Sequence, residues 1–124
     1  MTLIGVTAHE EAGLIVQLAD SRLALTVGQV QALYALAESD WGWLSHAVLA
    51  DRISQQGATV PPGQLTADLE GLKQQQLIRE HTPGDATSGP AAALTERGLM
   101  TITALTREWS GWADYCQSVG LSHY

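Results

Sequence analysis

Positive charge is scarce in this chain. Six Lys and Arg stand against thirteen Asp and Glu, a net charge of −7 at pH 7 over 124 residues. That balance opposes non-specific contact with nucleic acid, because such affinity comes largely from cations that displace counterions from phosphates. Cysteine is scarcer still: Cys116 stands alone, so no disulfide forms within the chain. No apolar run reaches the roughly 18 residues of a membrane-spanning helix. Met1-Thr2-Leu3-Ile4-Gly5-Val6 shows neither a basic region nor a long apolar one, so no secretory signal is expected and the cytoplasm is the expected compartment. His9, His46, His81 and His123 are scattered without metal-ligand spacing. A Gly-rich phosphate loop, a nucleophile elbow and a close carboxylate pair are all missing from the pattern. The expectation is therefore no metal, no cofactor, no catalytic residue and no enzyme.

What is present fits a single globular domain over 1–124, with a hydrophobic share of 45% and a charged share of 15%. The acid is uneven. Before Ser45, Glu10, Glu11, Asp20, Glu38 and Asp40 face only Arg22. From Ser45 to Arg107 six acids meet five cations, so this stretch is near neutral, and His46 and His81 add positive charge at lower pH. Glu108 and Asp114 follow in the tail.

Local signals divide the chain into elements. Residues 1–25 read as an N-terminal extension. Within it Leu14-Ile15-Val16-Gln17-Leu18-Ala19 and Arg22-Leu23-Ala24-Leu25 suggest a hairpin turning at Asp20-Ser21, with a helix over 9–19 as the competing reading. Thr26 and Gln29 form a capping-box pattern. Val30, Leu33, Tyr34 and Ala37 then give one helical apolar face that ends near Glu38. Asp40-Trp41-Gly42-Trp43 breaks the period. Ser45 suits an N-cap, with Val48, Leu49, Ile53 and the Arg52 stem facing inward. Gly57 marks a turn, and Pro61 and Pro62 suit a helix start. Leu65, Leu69, Leu72 and Gln76 fall on one face. Residues 77–82 and 91–94 read as strands joined by the Gly/Pro-rich 83–90 loop, and Thr95 as a further cap. Ile102, Leu105, Trp109, Trp112, Cys116 and Val119 recur at steps of 3, 4, 3, 4 and 3, the period of a coiled-coil seam. They predict one long helix over 95–119 whose stripe is a dimer interface, although Gly111 weakens it.

Pro62-Gly63-Gln64-Leu65-Thr66-Ala67-Asp68-Leu69-Glu70-Gly71-Leu72, then Leu77-Ile78, then Leu94-Thr95-Glu96-Arg97-Gly98 resembles the winged helix-turn-helix regulators of the PadR and MarR type. The resemblance covers roughly 45–119. It implies a mainly α (α+β) fold: a winged-helix core over 26–94, a β-hairpin wing, and a long C-terminal dimerisation helix. It also implies a homodimeric transcriptional regulator that places helix 62–75 in the DNA major groove. Two positions depart from the pattern. Gln76 stands where the family has glycine, and Glu70 and Gly71 stand where it often carries basic residues.

Gln64, Thr66, Ala67 and Lys73 lie off the leucine face of that helix and are the candidate DNA contacts, with Arg79 and His81 on the stem of the wing. Gln pairs with adenine, and Thr offers a hydroxyl and a methyl to base edges. The competing reading is a polar face that meets another protein, with the acidic winged helix as an interaction platform that binds no DNA. Trp41, Trp43, Trp109 and Trp112 read either as the wall of an effector pocket or as core packing. Cys116 reads as a packed, inert thiol rather than a redox switch.

Overall fold

Two of the helices follow threonine caps, Thr26 and Thr95. The computed structural model describes residues 3–8, 13–39, 43–55, 63–81 and 91–119. In chain order the elements are β1 (Leu3–Ala8), β2 (Leu14–Leu18), β3 (Arg22–Leu25), α1 (Val27–Glu38), β4 (Trp43–Ser45), α2 (His46–Gln55), α3 (Gln64–Gln74), β5 (Ile78–His81), β6 (Ala91–Leu94), α4 (Glu96–Arg107) and α5 (Trp112–Val119). The fold is α+β, with two three-stranded antiparallel sheets ordered β1-β2-β3 and β4-β6-β5. Among the described residues no helix is long and apolar enough to cross a membrane.

In the first sheet the period of two holds. Leu14, Val16 and Leu18 of β2 and Leu23 and Leu25 of β3 are buried, while Gln17, Arg22 and Ala24 face out. The expected hairpin therefore forms, and the competing helix over 9–19 does not, because 14–18 are extended. β1 adds a third strand that the hairpin reading lacked. Arg97 of α4 ties this sheet to the helices. It donates to Ser21 Oγ at 2.7 Å and lies 3.8 Å from Asp20.

Thr26 caps α1 reciprocally: Gln29 N donates to its Oγ1 at 3.1 Å and its own N donates to Gln29 Oε1 at 2.9 Å. The single apolar face expected for this helix is too narrow. Every residue from Gln29 to Leu36 is buried while Ala37 is exposed, because α2, α3 and α4 all pack on α1. In α2, Leu49 and Ile53 point inward, but Val48 is 44% exposed and Arg52 is exposed, so those two expectations are corrected. Ser45 Oγ accepts from Val48 N at 3.3 Å, as a cap should.

Leu69 and Leu72 anchor α3, with Leu65 half-buried. Gln76 does not extend that stripe. It lies past the helix end with φ +63, exposed. Leu77 N donates to Leu72 O and Gln76 N to Lys73 O, both at 3.0 Å. This is a Schellman turn with glutamine in the left-handed position that glycine usually takes. Trp43↔Ala93↔Arg79 lie on one face of the second sheet and Leu44↔Ala92↔Glu80 on the other, and the backbone register continues through Ser45↔Ala91↔His81. The expected turn at Gly57, the Pro61-Pro62 start and the 83–90 loop lie outside the described residues.

The long C-terminal helix is corrected. α4 ends at Arg107 and α5 starts at Trp112, with Ser110 and Gly111 in the break. Trp112 then packs on Tyr34 with ring centroids 5.6 Å apart. Ile102, Leu105, Trp112 and Cys116 are 0–6% exposed inside this chain, and Trp109 and Val119 are half-buried against the same core. Ile102, Leu105, Trp112 and Cys116 of the seam thus pack within their own chain, while Trp109 and Val119 keep part of their surface open. A hinge at Gly111 makes this cheap, since glycine weakens a continuous helix by about 1 kcal/mol.

Candidate nucleic-acid interface

The outer face of α3 and the neighbouring strand β5 carry the candidate residues. Thr66 and Ala67 are exposed there, one turn from Glu70 and about two turns from Lys73. Gln64 is exposed too, but its amide is engaged: Nε2 donates to Asp68 Oδ1 at 3.1 Å.

Asp68 is turned inward and only 4% exposed. Thr26 Oγ1 donates to its Oδ1 at 2.9 Å, and Gln29 Nε2 donates to its backbone carbonyl at 3.2 Å. The carboxylate sits at the first turn of α1, where the helix dipole favours negative charge. Gly28 makes this approach possible, since a Cβ there would overlap Asp68 Oδ2. Asp68 is therefore an internal anchor between α1 and α3, withdrawn from the exposed face.

Lys73 is held from two sides. Its Nζ lies 2.8 Å from Glu80 Oε1 on β5 and 3.1 Å from Glu70 Oε2 one turn back on α3. The hydrogen bond to Glu80 comes first among the effects that raise the Lys73 pKa, and the Glu70 bond adds to it. The same Lys73 bond lowers Glu80 below its ordinary value, with His46 contributing a smaller field. These charged groups border a cavity of about 130 Å³ between α3 and the second sheet, which Thr66, His46 and Arg79 also line.

Arg79 is exposed and borders both this cavity and a larger one, about 410 Å³, walled by Leu36, Trp43, Ala93, Leu94 and Leu99. His81 pairs through its backbone with Ala91, and its side chain lies outside the described residues. The structure thus brings Thr66, Lys73 and Arg79 around one groove, leaves Ala67 exposed on α3 outside its lining, and commits Gln64 to Asp68. The sequence reading missed Glu80 and His46. Glu70 and Lys73 are legible as an i,i+3 pair, whereas Glu80 and His46 join them only through the sheet.

The tryptophans do not gather into one pocket among the described residues. Trp112 is core, Trp109 packs on Tyr115 at 5.9 Å, and Trp43 lines the larger groove. Trp41 lies outside the described residues. Cys116 is fully buried, and burial pushes its thiol up to about 11.

No family model, curated protein or solved structure matches this chain.

Proposed function

We propose that this chain is a winged-helix DNA-binding regulator of the PadR/MarR type, with α3 as the recognition helix and the β5–β6 hairpin as the wing. The observation that carries the reading is the order of elements. One helix, a short strand, two helices, a hairpin and a further helix follow each other, and the short strand β4 joins β6 of the hairpin in a β4-β6-β5 sheet. That arrangement leaves α3 anchored by Leu69 and Leu72 with Thr66 and Ala67 outward, as a helix entering a major groove requires. For the pairing of two chains, Leu99 and Met100, 49% and 37% exposed on α4, supply outward apolar surface beside the half-buried Trp109 and Val119 of the seam.

One observation favours a second reading, an interaction module without DNA binding. The only α3 cation is neutralised by Glu70 and Glu80, so the groove has no net positive stripe. Anisotropy with random-sequence duplex DNA across a salt series separates the two. Binding that weakens as salt rises, and that Ala67→Glu abolishes, supports the regulator. No binding at any ionic strength leaves the interaction module.

A further inference from the structure

We infer that Glu70 and Glu80 are specificity determinants of the α3 face, because together they withhold Lys73 from DNA phosphates. The inference rests on the DNA-binding reading above. Lys73 is the only lysine in the chain. Lysine meets phosphate as a mobile point charge and carries no sequence information by itself, so a free lysine on a recognition helix raises affinity for every sequence alike. Here that charge is spoken for. Glu70 approaches from the same helix and Glu80 from the hairpin, at 3.1 and 2.8 Å, so two of the three ammonium donors are engaged from different elements.

Exposure gives the arrangement its direction. The Lys73 side chain is 30% exposed, whereas Glu70 and Glu80 are 58% and 75% exposed. An approaching phosphate therefore meets the two carboxylates at least as readily as the ammonium between them. Each exposed pair is weak on its own. The effect on DNA is larger than either pair, since contact through Lys73 requires leaving two partners that then stand beside the backbone. Non-ionic contacts from Thr66 and the methyl of Ala67 face no such barrier, and these read base edges. Sequence-independent affinity is suppressed, and discrimination between sites is widened.

The test compares the full chain with Glu80→Gln, Glu70→Gln and the double variant, each alone and with Lys73→Gln added. Two probes are used: random-sequence duplex DNA, and the duplex recovered from a random pool by repeated selection with the wild-type protein. Glutamine keeps the hydrogen-bonding shape, and thermal melting verifies that each variant is folded. In the double variant, affinity for random DNA is expected to rise about tenfold at low salt. The slope of log affinity against log salt steepens by about 0.9, the value for one more phosphate contact. Preference for the selected duplex falls correspondingly. Lys73→Gln is expected to change random-DNA binding by less than about twofold in the wild type, and to erase the gain in the double variant. A wild type that binds DNA while the double variant matches it in affinity and slope overturns the inference and leaves the regulator reading standing. Absence of DNA binding by wild type and variants alike overturns the regulator reading, and the inference with it.

Discussion

Thr95 Oγ1 donates to the backbone carbonyl of Gln76 at 2.6 Å while accepting from Gly98 N at 3.0 Å. One hydroxyl thereby caps α4 and closes the turn that ends α3. Thr95 N also donates to Leu77 O at 3.1 Å, and a Cβ on Gly98 would run into that same carbonyl. The Leu94-Thr95-Glu96-Arg97-Gly98 motif is thus a clamp on the turn after α3. Threonine supplies the cap and glycine the close approach.

Thr95→Val keeps the shape but removes both bonds. An N-cap contributes about 1 kcal/mol and an intramolecular hydrogen bond a similar amount. The unfolding free energy in urea is expected to fall by about 2 kcal/mol, and Thr95→Ser to restore most of it. An unchanged denaturation midpoint for Thr95→Val would contradict the clamp.

Gln76 adopts φ +63, a conformation costly for a residue with a Cβ. Gln76→Gly relieves that cost, offset in part by the greater freedom of glycine in the unfolded chain, so a gain of about 0.5–1 kcal/mol is expected. Gln76→Val is expected to destabilise by more than that gain, because a β-branched side chain tolerates the region least. Thermal melts of both variants test the pair of signs.

Leu105 is fully buried within its own chain. Leu105→Ala should lower stability by about 2–5 kcal/mol through lost packing and a residual cavity. Sedimentation velocity of the folded variant should match the wild type. A change in mass without loss of stability would return the C-terminal stripe to a role between chains.

Cys116 combines full burial with a thiol pushed up to about 11. At pH 8 about one thiol in a thousand is ionised even where reagent can reach it. Labelling by a disulfide reagent should be slow in the native protein and complete within minutes in denaturant. Fast native labelling would show that α5 opens readily.

Glu80 is held below its ordinary pKa near 4.5, chiefly by the Lys73 hydrogen bond. Because the folded value is the lower one, the stability from this contact is present above the ordinary value and is lost as pH falls through the lowered one. A carboxyl-carbon NMR titration should place the Glu80 midpoint below 4.5, and Lys73→Met should raise it. An unshifted midpoint in the wild type would argue against a persistent ion pair.

The parts that the sequence announced are those governed by neighbours along the chain. Thr26 with Gln29 and Thr95 with Gly98 are caps made within one turn, so they are visible as letters three apart, and both form. The β2–β3 hairpin is legible for the same reason, from period-two apolar residues around Asp20-Ser21. Residues 64, 66, 67 and 73 could be named as an outer helix face because Leu65, Leu69 and Leu72 define the inner one. The order of α1, α2, α3, the β5–β6 hairpin and α4 belongs to this local level too, whereas β1, β4 and the break before α5 do not.

Tertiary structure decided what local spacing leaves open. The stripe from Ile102 to Val119 has the same period whether it faces another chain or its own core. Packing of α4 on α1 buries Ile102 and Leu105, and the break before Trp112 with its contact to Tyr34 turns Trp112 and Cys116 inward. Asp68 reads as one more surface acid until α1 brings Thr26 and the bare Gly28 against it. Lys73 reads as paired with Glu70 alone until the hairpin delivers Glu80 from seven residues away and across a turn. Side-chain type and period are properties of the chain alone. Which face is buried and which charge is answered depend on distances between segments, and these exist only once the segments pack.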